Sequence, residues 1–304
     1  MSSELSWTQK PYWKGRFNWW NALFLTSSPL IAFVGTALYI YFQGFRWSDL
    51  ALFLVFHALT GLAITGGYHR YYSHRAYKCH PIVQGLYLLF GAAAFENSVL
   101  FWSSSHRFHH RHVDSEGDPY NIKKGFFWAH MGWIFFNDPK ARTFDNAQDL
   151  QKDRLVMWQH KYYVLIAFLV GVGLPTLIGS FWGRPMAGFL WGGWLRIVAV
   201  NHCTFLINSA SHCIGSRPHG DDCTARNCWW LAFFTFGEGY HNFHHAYASD
   251  YRNGYRWYQW DPTKWLIYGL SKVRLASKLN RIPSSQVHIQ GRGEGGPGAP
   301  ALSS

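Results

Sequence analysis

The sequence predicts an all-α integral membrane protein: four transmembrane helices in two hairpins, carrying a histidine-rich helical cap on the cytosolic side. Three observations predict it. Apolar runs of bilayer length come in two pairs. Only 14% of the 304 residues are charged, while 19% are aromatic. Most of the 17 histidines gather in the polar segments outside those runs. The mean hydropathy of −0.13 looks low for a membrane protein because it averages apolar segments with an Arg- and His-rich remainder.

The first hairpin pairs residues 21–43 with residues 50–67 across a short turn at Gly44–Asp49. Each arm is free of charge over a length suited to a hydrocarbon core of about 30 Å. Arg70, Arg75 and Lys78 follow directly and mark that side as cytoplasmic by the positive-inside rule. Residues 82–102 are apolar but carry Glu96 and Asn97. An ionised carboxylate deep in lipid is costly, so this stretch reads as a helix in the interface or buried against the cap. The second hairpin joins 162–182 to 186–207 through Gly183-Arg184-Pro185. Arg196 and His202 interrupt its second arm, which is therefore expected to face protein.

Two hairpins return both termini to one side, where 68–161 and 208–290 make the cap. Residues 1–290 read as a single domain. Tyr251–Trp260 is aromatic and basic, as suits a cap resting on headgroups, and an amphipathic stretch runs from Pro262 to about Asn280. The Gly- and Pro-rich tail 291–304 cannot bury a core and is expected to be disordered. Met1–Asn18 is polar and aromatic, unlike a cleavable signal.

The net charge of +12 accompanies no nucleic-acid-binding motif, and the basic residues border apolar segments, so the partner they imply is a membrane face and no nucleic acid. The five cysteines form no CxxC pair, which excludes a zinc ribbon or secreted disulfide framework and leaves reduced thiols.

The histidine spacing carries the chemistry. His241, His244 and His245 form an HxxHH box in which the three rings fall within about 100° on one helical face, aimed at one point. His106, His109 and His110 repeat it, and His69 and His74 precede both. Asn208 and His212, four apart, share a helical face. The other eight histidines read as ordinary structural residues. Neutral imidazole binds iron, copper, zinc and nickel, and nitrogen-rich sites with open positions suit oxygen-activating iron. Nine histidines exceed what one ion can use, so two ions are expected; a closed four-ligand zinc site leaves five without work. His69 and His74 diverge by about 140° on a regular helix and need a helix end or separate ions. Only one Glu-x-x-His spacing is present, Glu238 to His241, so a carboxylate-bridged diiron site is not expected. Glu238 and the acidic residues near the boxes instead suit the orienting of ring N–H groups. A membrane haem protein or metal transporter fits less well: haem needs one or two axial imidazoles, and transporters put their ligands at membrane depth.

GYHRYYSHRAYK, HRFHH followed by DPYN and KKGFFWAHMGW, NSASH, and FGEGYHNFHH together resemble the membrane fatty acyl desaturases of the stearoyl-CoA (delta-9) type. The resemblance runs from about Trp19 to Pro283. It implies O₂-dependent removal of two hydrogens from a long-chain saturated acyl group, leaving a cis double bond. It also implies two iron ions held by His69, His74, His106, His109, His110, His212, His241, His244 and His245, with Asn208 acting through water. Residues matching the bend of the family's acyl tunnel are Glu96, Asn97, Trp102, Thr204 and Phe205. Animal members have Gln and Trp where this chain has Glu96 and Phe205. Ser104 and Ser105 replace an Arg-Asp pair linked to CoA recognition, leaving acyl-CoA, acyl-lipid and acyl carrier protein open as carriers. Lys123 and Lys124 suit a phosphate-bearing headgroup. With no segment for a fused haem donor after the cap, electrons are expected from a separate ferredoxin, cytochrome b5 or flavoprotein. A histidine-box hydroxylase of alkanes, fatty acids or carotenoids is the nearest rival.

Overall fold

A computed structural model describes residues 16–137 and 143–289. The expected tail 291–304 and most of the N-terminal segment lie outside the described residues. Three helices are long and apolar enough to cross a membrane: α1 (Trp19–Gln43), α2 (Trp47–Ser73) and α5 (Arg154–Ser180). Their outer faces expose large apolar side chains such as Leu30, Phe33, Leu54, Val55, Leu165 and Leu169, as lipid contact requires. The chain is a membrane protein.

Helix α2 exceeds its expected apolar run of 50–67 by six residues at its C-terminal end. At 27 residues it measures at most about 40 Å, so its last turns project beyond a hydrocarbon core. Every side chain from Ala63 to Ser73 is buried, in protein rather than lipid. There the backbone widens to i→i+5 hydrogen bonds, and the His74 amide still donates to His69 O at 3.2 Å.

The stretch 82–102 is two helices, not the single one expected. Helix α3 (Pro81–Ala92) is too short to span. A turn then brings Phe95 and Asn97 into the left-handed region at φ 61° and 76°. Helix α4 (Val99–His112) starts where Ser98 Oγ accepts from Phe101 N. Tyr68, Tyr72, Leu88, Val99, Leu100 and Val156 form the core that locks α2, α3, α4 and α5 together.

Helix α5 begins eight residues before the expected 162, capped by Asp153, whose side chain accepts from Leu155 N and Val156 N. Helix α6 runs unbroken from 185 to 209 but is not among the three long apolar helices, because glycines, tryptophans and polar residues dilute it. Its Arg196 is fully buried and donates to the carbonyls of Gly192, Ala93 and Gly171, so this arm does face protein. The two hairpin turns meet: Arg184 donates to Asp49 at 2.7 and 3.1 Å and to Gln43 O and Gly44 O. Both turns therefore share one end of the bundle, and the histidine boxes lie toward the other. Lys78–Cys79 pairs antiparallel with Ala276–Ser277, tying the segment after the first box to the end of helix α8 (Pro262–Lys272).

Candidate metal centre

The nine histidines of the boxes come from α2, α4, the end of α6 and the short helix α7 (His241–Ala246). They gather into two clusters. His69, His74, His106, His110 and His244 form the first; His109, His212, His241 and His245 form the second. In each cluster the candidate ligand atoms lie within 4.8 Å of one another. The expectation that each HxxHH box aims at one point is thus corrected: both boxes divide their rings between two points. The separation of His69 and His74 is resolved as expected by the helix end, where the widened last turn brings both into one cluster.

Nitrogen geometry tests whether metals fit. Nε2 atoms face one another at 3.0 Å for His69 and His244, 2.8 Å for His74 and His106, and 2.9 Å for His244 and His110. In the second cluster the separations are 3.3 Å for His109 and His245, 3.1 Å for His245 and His241, and 3.1 Å for His241 and His212. Ligands each about 2.0–2.1 Å from a shared ion stand about 2.9–3.4 Å apart.

Protons cannot satisfy the same contacts. Asp118 Oδ1 lies 2.9 Å from His109 Nδ1, and a carboxylate only accepts, so that nitrogen carries the proton in the neutral ring, the form that can ligate, whose Nε2 is then a bare lone pair. Thr224 donates its hydroxyl to Asp114 at 2.6 Å and can only accept from His212 Nδ1 at 2.8 Å. His212 Nε2 is bare as well. Between these two bare ends, His245 and His241 have one Nε2 proton each at most. If both are protonated they clash with each other; if either is not, two lone pairs meet. A shared cation relieves every contact, and the clusters are compatible with metal sites.

Burial, and then the neighbouring rings, push His74, His106, His110, His212, His241, His244 and His245 well below the ordinary imidazole range, into the neutral ligand form. Glu238 Oε2 lies 2.9 Å from His69 Nδ1. Burial pushes its carboxyl up, but His69 and Arg70 outweigh that and hold it below its ordinary value. Arg70, fully buried, bridges Glu238 at 2.8 Å and Asp261 at 3.0 Å, and Asp261 accepts from the amides of Asn253, Gly254 and Lys264. Glu238 and Asp118 thus face ring nitrogens of the boxes and Asp114 reaches His212 through Thr224, whereas Glu116 stands beside Lys124 instead. The sequence reading missed Tyr120, whose hydroxyl is 3.2 Å from His106 Nδ1, and Thr224, which carries no local signal. Arg70 had one: a cation inside the first box, beyond what positive-inside patterning requires.

A cavity open to the surface, about 1140 Å³ with the open space at its mouth included, abuts the first cluster at His106. Glu96, Asn97, Trp102, Thr204, Phe205 and Asn208 all line it; Lys123 and Lys124 do not. Trp102 stacks on His106 with ring centroids 5.0 Å apart and donates its indole N–H to Glu96 at 3.1 Å. Burial pushes the Glu96 carboxyl up to about 8, against hydrogen bonds from Thr204 and Trp102. Thr204 also borders a second, smaller cavity lined by His57, Gly61 and Phe236.

Fold and site define a membrane protein whose paired, buried histidine clusters stand beside a cavity lined by aromatic and polar side chains. Residues 45–272 match the fatty acid desaturase family, and the chain belongs to that family. It is 41% identical over 286 residues to a probable acyl-CoA desaturase of Schizosaccharomyces pombe, and 39% identical over 290 residues to acyl-CoA desaturase 1 of Saccharomyces cerevisiae. Those alignments take in 93% and 94% of this chain but only 59% and 56% of the yeast proteins. With an sn-1 stearoyl-lipid 9-desaturase of Anabaena variabilis the identity is 34% over 278 residues, covering 90% of this chain and 97% of that one.

Proposed function

We propose that this protein is an O₂-dependent fatty acyl desaturase that introduces a cis double bond, at delta-9, into a long-chain saturated acyl group. The observation that carries the reading is the shared wall: His106 belongs at once to the cavity and to the histidine cluster, and Trp102, which also lines the cavity, stacks on it. His69, His74, His106, His110 and His244 would hold one iron. His109, His212, His241 and His245 would hold the other, with Asn208 contributing through water. Iron with O₂ supplies the oxidising power that an unactivated methylene demands, since no side chain can abstract such a hydrogen.

The balance is R–CH₂–CH₂–R′ + O₂ + 2e⁻ + 2H⁺ → R–CH=CH–R′ + 2H₂O. Two electrons come from the acyl chain and two from a donor protein: a ferredoxin, cytochrome b5 or flavoprotein. The residues of the chain position and exclude. A saturated chain has no polar handle, so Phe24, Leu25, Phe95, Phe101 and Phe205 hold it by shape, while Trp102 sets one carbon pair against the His106 wall. Glu96, neutral below about pH 8, braces Trp102 and Thr204 on opposite walls without placing a charge beside the methylenes. We further read the helices as four spans in two hairpins, with α6 as the fourth. Residues 1–290 form one domain, and the histidine end is cytoplasmic.

The test is expression in cells lacking an oxygen-dependent desaturase, followed by double-bond location in total fatty acids and metal analysis. New delta-9 monoenes with about two irons per chain support the reading. An oxygenated product, or no change in the lipids of cells containing the metal-loaded protein, refutes it.

A further inference from the structure

Glu238, Asp118 and Thr224 stand at the outer nitrogens of His69, His109 and His212, and none of the three lines the cavity. A fourth such partner does. Tyr120 lines the cavity, and its hydroxyl is 3.2 Å from His106 Nδ1. Of the nine box histidines, His106 alone lines that cavity. Its Nε2 faces His74 Nε2 at 2.8 Å, inside the first cluster. In the neutral ring that ligates through Nε2, the hydrogen sits on Nδ1, so the phenol oxygen accepts it.

The chain holds Tyr120 in place by local means. Asp118-Pro119-Tyr120 is a tight turn in which Tyr120 N donates to Asp118 Oδ1 at 3.2 Å. The same carboxylate oxygen meets His109 Nδ1 at 2.9 Å. The Tyr120 ring lies over His109, with centroids 4.4 Å apart and 30° between the planes, and against Trp133 at 5.1 Å. The side chain is buried. It therefore touches a histidine of each cluster, by its hydroxyl in the first and by its ring face in the second. Trp102 stacks on His106 from within the same cavity wall. Edge and face of His106 are thus both held by residues that an acyl chain in the cavity would touch.

Resting on the desaturase reading for the identity of the ions and the use of the cavity, we propose that Tyr120 is a positioning residue for both irons. Its hydroxyl fixes the tautomer and tilt of His106 at the iron beside the cavity, and its ring steadies His109 at the other. One side chain serves two ions through two parts that can be removed separately.

The test is metal retained per chain by the full-length, iron-loaded protein across an anaerobic chelator series. Tyr120→Phe deletes the acceptor and keeps the ring. One ion should leave at about tenfold lower chelator strength, the low end of the range for losing a ligand's outer partner, and the other as in the parent. Combined with Glu238→Gln, which alters the partner of His69, it should loosen that same ion further and leave the other unmoved. Tyr120→Ala removes the ring as well, so the second ion should also leave earlier, by about two- to tenfold. A Phe variant that holds both ions like the parent, or that loosens the second, overturns the proposal, as does an Ala variant whose second ion is unmoved. Tyr120→Leu also lacks the acceptor and stands in if the Phe variant does not accumulate; a parental hold on the first ion overturns the proposal there too. In cells lacking an oxygen-dependent desaturase, the Phe variant's monoene yield should fall with the occupancy of the first ion, the double bond staying at the same carbon. A moved double bond means that the hydroxyl shapes the cavity instead, and overturns the positioning role. No monoene from the parent sinks the desaturase reading and leaves the metal result standing.

Discussion

Glu238→Gln tests the second layer of the centre without changing its size. All four groups around this carboxylate are donors: Arg70 Nε and Nη2 at Oε1, and His69 Nδ1 and Asn253 Nδ2 at Oε2. An amide accepts on one side only, so either Arg70 or the His69 and Asn253 pair must face an NH₂ group. Hydrogen bonds to a charged partner contribute about 1.5–3 kcal/mol and neutral ones about 0.5–1.5. The exchange therefore costs roughly 1–3 kcal/mol at His69. That agrees with the 10–100-fold loss of metal affinity, about 1.4–2.7 kcal/mol, usual when the partner of a ligating histidine is removed. The assay is metal retained per chain across a chelator series. The variant should surrender one of two ions at about 10–100-fold lower chelator strength, while the ion of the His109, His212, His241 and His245 cluster leaves as in the parent. Equal weakening of both ions, or of neither, refutes the assignment of His69 to one centre only.

His106→Ala and His244→Ala should each abolish double-bond formation while leaving the thermal midpoint of the detergent-solubilised protein within a few degrees; monoenes at the parental level in either variant rule out the ligand set. Phe236, packed against His57 and over Gly61, lines the smaller cavity that shares Thr204 with the main one; if the acyl chain ends there, Phe236→Ala should shift the products toward longer acyl chains in gas chromatography, at a stability cost of up to roughly 3 kcal/mol. An unchanged chain-length profile shows that the stop lies elsewhere. Glu96 binds its proton more tightly folded than unfolded, with a folded pKa of about 8. Stability should therefore fall as pH rises from about 4.5 to 8 and level off above. Measured as melting temperature against pH, Glu96→Gln should match the parent in acid and gain on it up to pH 8. Parallel curves refute the raised pKa.

Three of the four expected spans were legible because lipid imposes a composition on whatever it touches, and 21–43 became α1 almost unchanged. The ends of α2 and α5 were not legible. Tyr68–Ser73 is too polar to score as a span, yet it stays helical because α3, α4 and α5 cover it. Asp153 fixes the start of α5 by a cap that hydropathy does not weigh. At 82–102 Glu96 and Asn97 argued against a span, but the break between two helices was not read from them. It proved to be a turn, which needs left-handed backbone at Phe95 and Asn97, residues that do not announce it. The histidines were legible because ligation demands residue type and spacing together. Their partners Tyr120 and Thr224 were not, since only the packed chain brings them to the rings.

The division of the boxes between two centres has a geometric logic. In each HxxHH box the first and last histidines are four apart, about 40° around the helix, and the middle one lies about 60° to the other side of the first. His106 and His110 accordingly stay together in the first cluster while His109 crosses to the second; His241 and His245 stay together in the second while His244 crosses to the first. Two antisymmetric boxes thus give each centre a pair and a single, three rings apiece. The remaining ligands are unequal: α2 adds His69 and His74 to the first centre, and α6 adds His212 to the second. The second centre is one imidazole poorer, and one turn before His212 on α6 stands Asn208, a weaker donor that also lines the cavity. Under the proposed function, an asymmetric pair of this kind would leave the second ion with a weaker partner in Asn208, on the helix that borders the cavity. Nine histidines instead of ten would then suit a centre that, under the proposed function, has to admit O₂ beside a buried methylene.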